Sequence, residues 1–154
     1  MSKLKVEITD NTEIVIYGLS KFSNDKTISK DIMELSEKYK NIIGKDLITP
    51  YFVLSKNYDE NTKDFELFIG SIFDNKKLEQ IKIPKGKYAK ITIKPKMKFM
   101  WGLSIGGAKR YFYTEWIKNS EYKPLNMEYE YHTEKSIGKN PTIDLIFFIS
   151  ETNL

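Results

Sequence analysis

"MEYEYHTEK", residues 127–135, decides how the chain folds. Read with a period of two, Met127, Tyr129, Tyr131 and Thr133 face one way, and Glu128, Glu130, His132 and Glu134 face the other. Such alternation predicts a strand with one face turned to the core. A helix through 127–134 would overturn what is built on it. The same stretch raises a chemical question: whether one of its carboxylates is placed for more than solvation.

The strings on either side extend the pattern. "PTIDLIFFIS" (141–150) follows the turn "SIGKN" and predicts a hairpin partner. "SIGGAKRYFYTEWIKNS" (104–120) carries Ile105, Ala108, Phe112 and Trp116 at helical spacing, which predicts a helix near 104–118. Gly106 and Gly107 weaken its first turn by about 1 kcal/mol each relative to alanine. "GKYAKITIK" (86–94) is a strand opened by the turn "IPKG".

The first half runs in the same order. "KLKVEI" (3–8) alternates, with Leu4, Val6 and Ile8 on one face, and "EIVIYGLSKF" (13–22) reads as a strand. Gly18 inside it marks a bend or a close backbone approach. In "TISKDIMELSEKYKNIIG" the residues Ile28, Ile32, Leu35, Tyr39 and Ile42 are spaced 4, 3, 4, 3. That predicts a helix over 28–43, with Thr27 as N-cap and Gly44 as stop. "TPYFVLS" and "DFELFIGSIF" flank the polar turn "KNYDENTK" as a hairpin. The fold class expected is α+β: two strand–helix–hairpin repeats, about 1–75 and 76–154. They join into one antiparallel sheet with two helices on one face and a groove on the pseudo-twofold axis.

Composition narrows the function. The chain has 154 residues, 40% of them apolar and 14% aromatic, enough for one core. With no cysteine and one histidine, thiolate metal sites and multi-histidine centres are excluded, and a Ser-His-Asp hydrolase is disfavoured. No cofactor is expected. The N-terminal residues lack the apolar core of a signal peptide, and no run is long enough to span a membrane. A cytoplasmic protein with no membrane partner is the expectation. Net charge is +4, and 76–98 holds nine lysines against Glu79. Lys90 and Lys94 alternate with Ile91 and Ile93, which reads as a solvated strand face guarding against edge pairing. Arg110 is the single arginine, so direct nucleic-acid binding is not expected.

Several strings in this order resemble the GyrI-like small-molecule-binding domain, the effector-binding domain of drug-responsive transcription regulators. "IPKGKYAKI" (83–91) is similar to that family's Ile-Pro-x-Gly-x-Tyr-Ala strand. "YTEWIKNSEYK" (113–123) is similar to its helix end, with Trp116, Ser120 and Tyr122 in place. "YEYHTEK" (129–135) resembles its Phe-Glu-x-Tyr-Asp-Glu-Arg strand, and "IDLIFFIS" (143–150) its closing strand. "YGLS" and "FIGSIF" match weaker glycine-containing strands. The departures are Ile146, Phe148, His132 and Lys135, where the family has Tyr, Pro, an aromatic phenol and Arg. The residues are spent on this one domain, so the resemblance is to stand-alone members without a helix-turn-helix.

On spacing alone, Glu130 is one of four polar residues on a wet strand face. The resemblance implies that it sits at the base of an aromatic-lined pocket and pairs with a cationic ligand. A carboxylate in low dielectric must find a partner or a proton, and a lipophilic cation gives both a charge and a surface for aromatic rings. Glu128 and Glu134 are expected at the surface, and His132 beside the groove rather than on a metal. Tyr17, Tyr51, Trp101, Tyr113 and Phe148 are the expected aromatic walls. "KMKFMWG" (96–102) reads as a methionine-rich lid or as plain cover for the groove's end. The function expected is a module that senses or sequesters amphipathic, cationic aromatic molecules, with a transcription regulator or another protein as a further partner. Two alternatives stand beside it. One is a hydrolase with Glu130 as general base. The other is a protein-interaction module of the gyrase-inhibitor kind.

Overall fold

A computed structural model describes residues 4–45, 48–94 and 101–152, apart from the side chain of Trp101. Its strands are β1 (Glu7–Asn11), β2 (Ile14–Asn24), β3 (Tyr51–Lys56), β4 (Asp64–Ser71), β5 (Glu79–Ile83), β6 (Gly86–Ile93), β7 (Tyr122–His132) and β8 (Ile143–Glu151). The helices are α1 (Ile28–Ile43) and α2 (Trp101–Tyr111). α2 runs on through a π-helical turn at Phe112–Trp116 and a 3-10 turn at Ile117–Asn119. Residues 127–132 are strand, as the alternation requires, and the fold is the expected α+β one.

All eight strands form one antiparallel sheet in the order β1-β6-β8-β7-β3-β4-β2-β5. Exchanging β1 with β5, β2 with β6, β3 with β7 and β4 with β8 reverses that order. The sheet therefore has a twofold centre between β3 and β7. Each half is β-β-α-β-β, one strand more than expected in the second half. β5 was missed because only the turn "IPKG" was read ahead of the 86–94 strand, in a stretch dominated by Lys76, Lys77 and Lys82. Yet Ile81 and Ile83 alternate, and the strand pairs with β2 from Ile14↔Ile83 to Gly18↔Glu79. The lead strand of each half is exchanged: β1 lies on β6, and β5 on β2. β6 is thus an interior strand, which corrects its edge-guarding reading. Its lysines meet acids on β1 instead, Lys87 with Asp10 at 3.0 Å and Lys90 with Glu7 at 3.5 Å.

The α1 stripe packs Leu35 and Ile32 onto Val53, Leu67 and Ile69. α2 packs Ala108 and Phe112 onto Ala89, Ile91, Leu145 and Phe147. The rings of Phe112 and Phe147 stack at 3.9 Å. Both helices lie on one face of the sheet. The other face closes on itself as the sheet curls, burying Ile16, Phe52, Leu54, Ile83, Tyr88 and Tyr129 together. Gly18 and Gly70 pair directly, and a Cβ at either would lie 1.9 or 2.1 Å from a carbonyl oxygen across the strand gap. The close approach expected at Gly18 is thus real. Gly44 stops α1 with φ of 77°. Thr27 does not cap α1 with its side chain; its hydroxyl donates to Asp31 at 2.8 Å.

Candidate functional site

Register puts the even residues of β7 on the helix face. Glu128 pairs with Ser55, Glu130 with Val53 and His132 with Tyr51, across the central β3–β7 seam. Val53 packs under α1, and Phe147, the β8 neighbour of Glu128, packs under α2. The two glutamates therefore form the floor of a groove between the helices, on the twofold centre.

At the Glu128 end the groove opens into a cavity of about 1020 Å³. α2 contributes Lys109, Tyr113 and Ile117; β7 contributes Met127 and Glu128; Tyr58 and Ile28 close the far side. Both halves of the chain line it. The far wall is fixed by a bulge in β7 between Pro124 and Glu128. There Asn126 takes φ of 57°, a left-handed conformation that asparagine tolerates. Its amide accepts from the Tyr58 N–H at 2.8 Å and donates to the Tyr58 carbonyl at 3.0 Å. The Tyr58 hydroxyl donates to Asp25 at 2.6 Å, and that bond, more than burial, pushes the phenol up to about 12.

Glu128 is not the surface residue expected from alternation. Its side chain is 16% exposed. The Tyr113 hydroxyl donates to Oε1 at 2.8 Å, and Lys109 Nζ lies 2.9 Å from Oε2. Alternation gives a residue's face but not what stands above it. Lys109 and Tyr113, one helical turn apart on α2, stand above Glu128. Burial, then the Glu128 charge, push the Tyr113 phenol up, so it stays a donor. Burial pulls Lys109 down, but the charges of Glu128 and Glu130 outweigh it and the ammonium is retained.

Glu130 is 14% exposed on its side chain, and His132 Nε2 lies 3.0 Å from its Oε1. Tyr51 stands edge-on to His132 and to Tyr39, both with centroids 6.1 Å apart. Burial chiefly, with Glu130 a smaller contributor, raises the Tyr51 phenol to about 12. Its hydroxyl is 2.9 Å from Ser36 on α1. Tyr39, also on α1, has a buried hydroxyl with no partner among the described residues.

Of the expected residues, Tyr113 lines the cavity, while Glu130 and Tyr51 lie further along the same sheet face, at the His132 end of the groove. Tyr17 lies on β2, two strands outward from β3. Phe148 is on the opposite face, stacked on Tyr88 at 4.9 Å, because Phe147 takes the helix side of β8. The Trp101 side chain and residues 96–100 of the lid expected over 96–102 lie outside the described residues. Lys109, Asn126 and Tyr58 were missed. For Lys109 the available signal was its place one turn before Tyr113. Glu134 is exposed, as expected. Among the described residues no group of acids and histidine is arranged to hold a metal, and no helix is long and apolar enough to cross a membrane.

The fold is that of the GyrI-like effector-binding domains that the sequence resembles. Among solved structures, SAV2435 bound to tetraphenylphosphonium superposes with a TM-score of 0.72 at 10% identity, covering 96% of this chain and 94% of that one. An integron cassette protein of Vibrio cholerae gives 0.70 at 16% identity, covering 94% and 95%. A putative bacterial transcription regulation protein from Staphylococcus aureus MU50 gives 0.68 at 8% identity, covering 96% and 99%. No family model matches the sequence, and no curated protein matches it.

Proposed function

We propose that this chain is a binding module for amphipathic aromatic cations, held over the β3–β7 seam between α1 and α2. The observation that carries it is the pair of covered carboxylates, Glu128 and Glu130, on the floor of a groove with tyrosine walls. Glu130 supplies the charge that meets the ligand; Tyr51 and Tyr113 supply ring surface. An ammonium or phosphonium in such a place is attracted to the carboxylate and to ring faces together. The structurally similar SAV2435 holds tetraphenylphosphonium, which agrees with this chemistry. A cytoplasmic location and a protein partner that reads the ligand-bound state are part of the same proposal.

The hydrolase alternative asks for a tyrosine acid beside Glu130. Tyr113, whose hydroxyl reaches a floor carboxylate, donates to Glu128 instead. The test is a thermal-shift titration with tetraphenylphosphonium and with neutral triphenylphosphine oxide. A ligand of the native state raises the melting temperature by mass action. The phosphonium should do so at concentrations where the oxide does not. Equal shifts from both would overturn the cationic reading.

A further inference from the structure

The charges around the groove can be counted residue by residue. Among the described residues, the cavity wall carries Asp25, Glu60 and Glu128 together with Lys63, Lys109 and Arg110, three acids against three cations. Glu130, one floor position further along β7, is the surplus. Its strand neighbour His132 places Nε2 3.0 Å from Glu130 Oε1. Lys109 reaches down from α2 to within 2.9 Å of Glu128 and lies in the field of Glu130 as well. Lys109 is ion-paired with Glu128, and Glu130 is the next residue along the same strand face.

Resting on the binding function just described, we propose that Lys109 is a resident counter-ion that sets the charge of the ligand. It occupies the Glu128 half of a two-carboxylate seat and leaves room for one positive charge, at Glu130. The ligand class is therefore a monocation. A dication is refused because the lysine already holds its second place. The spacing fits a seat of this kind: side chains two residues apart on one strand face stem from Cα atoms about 6.5–7 Å apart. Tyr113 fixes the other oxygen of Glu128, so the lysine meets a carboxylate that cannot rotate to share itself freely.

The counter-ion role makes a reciprocal prediction that a packing role does not. Glu128→Gln leaves Lys109 to turn to Glu130, so tetraphenylphosphonium affinity should fall at least tenfold. Adding Lys109→Met to that variant should restore it to within threefold of the wild type. Lys109→Met alone exposes two carboxylates. It should raise the preference for 1,4-bis(triphenylphosphonio)butane over tetraphenylphosphonium at least tenfold. The double variant keeps charge balance and remains testable if the single lysine variant fails to fold. Isothermal titration of all four proteins with both probes is the experiment, with Glu134→Gln as the exposed control.

Rescue of the Glu128→Gln loss by Lys109→Met, together with the shift toward the dication, is the result expected. If the wild type binds the monocation through Glu130 but the lysine substitution neither rescues nor shifts preference, the counter-ion role is overturned while the binding function survives. If the wild type binds the neutral oxide as well as the phosphonium, both fall.

Discussion

At the level of single residues, the groove depends on who stands over whom. Tyr113 donates to a Glu128 oxygen that no other described group reaches. Tyr113→Phe should therefore destabilise the protein by about 1–3 kcal/mol, the cost of leaving a covered acceptor unpaired. Urea denaturation of the variant measures it, and an unchanged midpoint would contradict the pairing. Gly70 is a second such point. An alanine methyl there would sit 2.1 Å from the Tyr17 carbonyl oxygen, so the β2–β4 seam would have to part. The sequence showed the shared face of Glu128, Glu130 and His132, because that follows from a period of two. It did not show that Glu128 is covered, because the covering groups come from a helical segment 15 to 19 residues earlier. Phe148 was misplaced for a related reason: "LIFFIS" is apolar at both parities, so the string alone does not say which phenylalanine faces the helix.

Elements follow their own rules. α1 carries a covered carboxylate, Asp31, held by Lys21 at 2.7 Å, Ser23 at 2.7 Å and Thr27 at 2.8 Å. The bond to Lys21 first, then the one to Ser23, lowers its pKa from 3.8 to about 2, against the opposing effect of burial. A carboxyl whose folded value lies below its unfolded value adds stability that is complete above about pH 4. That contribution, about 2 kcal/mol by linkage, is lost as the pH falls toward 2. Asp31→Asn should flatten the stability profile over that window, and an unaltered acid limb would contradict the assignment. In α2, Gly106 and Gly107 lie in mid-helix rather than in the first turn, since the helix begins at Trp101. Nothing stands within 4 Å of a Cβ built on either. Alanine at both positions should raise stability by about 1–2 kcal/mol in a thermal or urea melt. The helices were legible because their apolar stripes repeat over several turns. β5 was not, because a five-residue edge strand with only Ile81 and Ile83 apolar, set in a lysine-rich stretch, is too short to stand out from a solvated turn.

Across the whole molecule, the twofold order of the sheet ties the halves together. β1 belongs by sequence to the first half and by pairing to the second; β5 does the reverse. The central seam joins β3 to β7, so the groove floor does not exist in either half alone. Fragments 1–75 and 76–154 should each lack a cooperative unfolding transition, and mixing them should restore one. A cooperative melt from either fragment alone would contradict that interdependence. The order of elements in the sequence was enough to suggest two repeats on one sheet. The exchange of lead strands was not visible there, because pairing partners 61 to 83 residues apart leave no local mark.

The central claim is that Glu130 provides the charge for an aromatic cation. Glu130→Gln keeps the shape of the side chain and removes its charge. Titration calorimetry with tetraphenylphosphonium should show binding weakened by about 1.5–3 kcal/mol, the scale of a charged hydrogen bond. Glu134→Gln, altering an exposed residue just beyond the end of β7, should leave affinity unchanged. A Glu130→Gln protein that binds the phosphonium as tightly as the wild type would contradict the account.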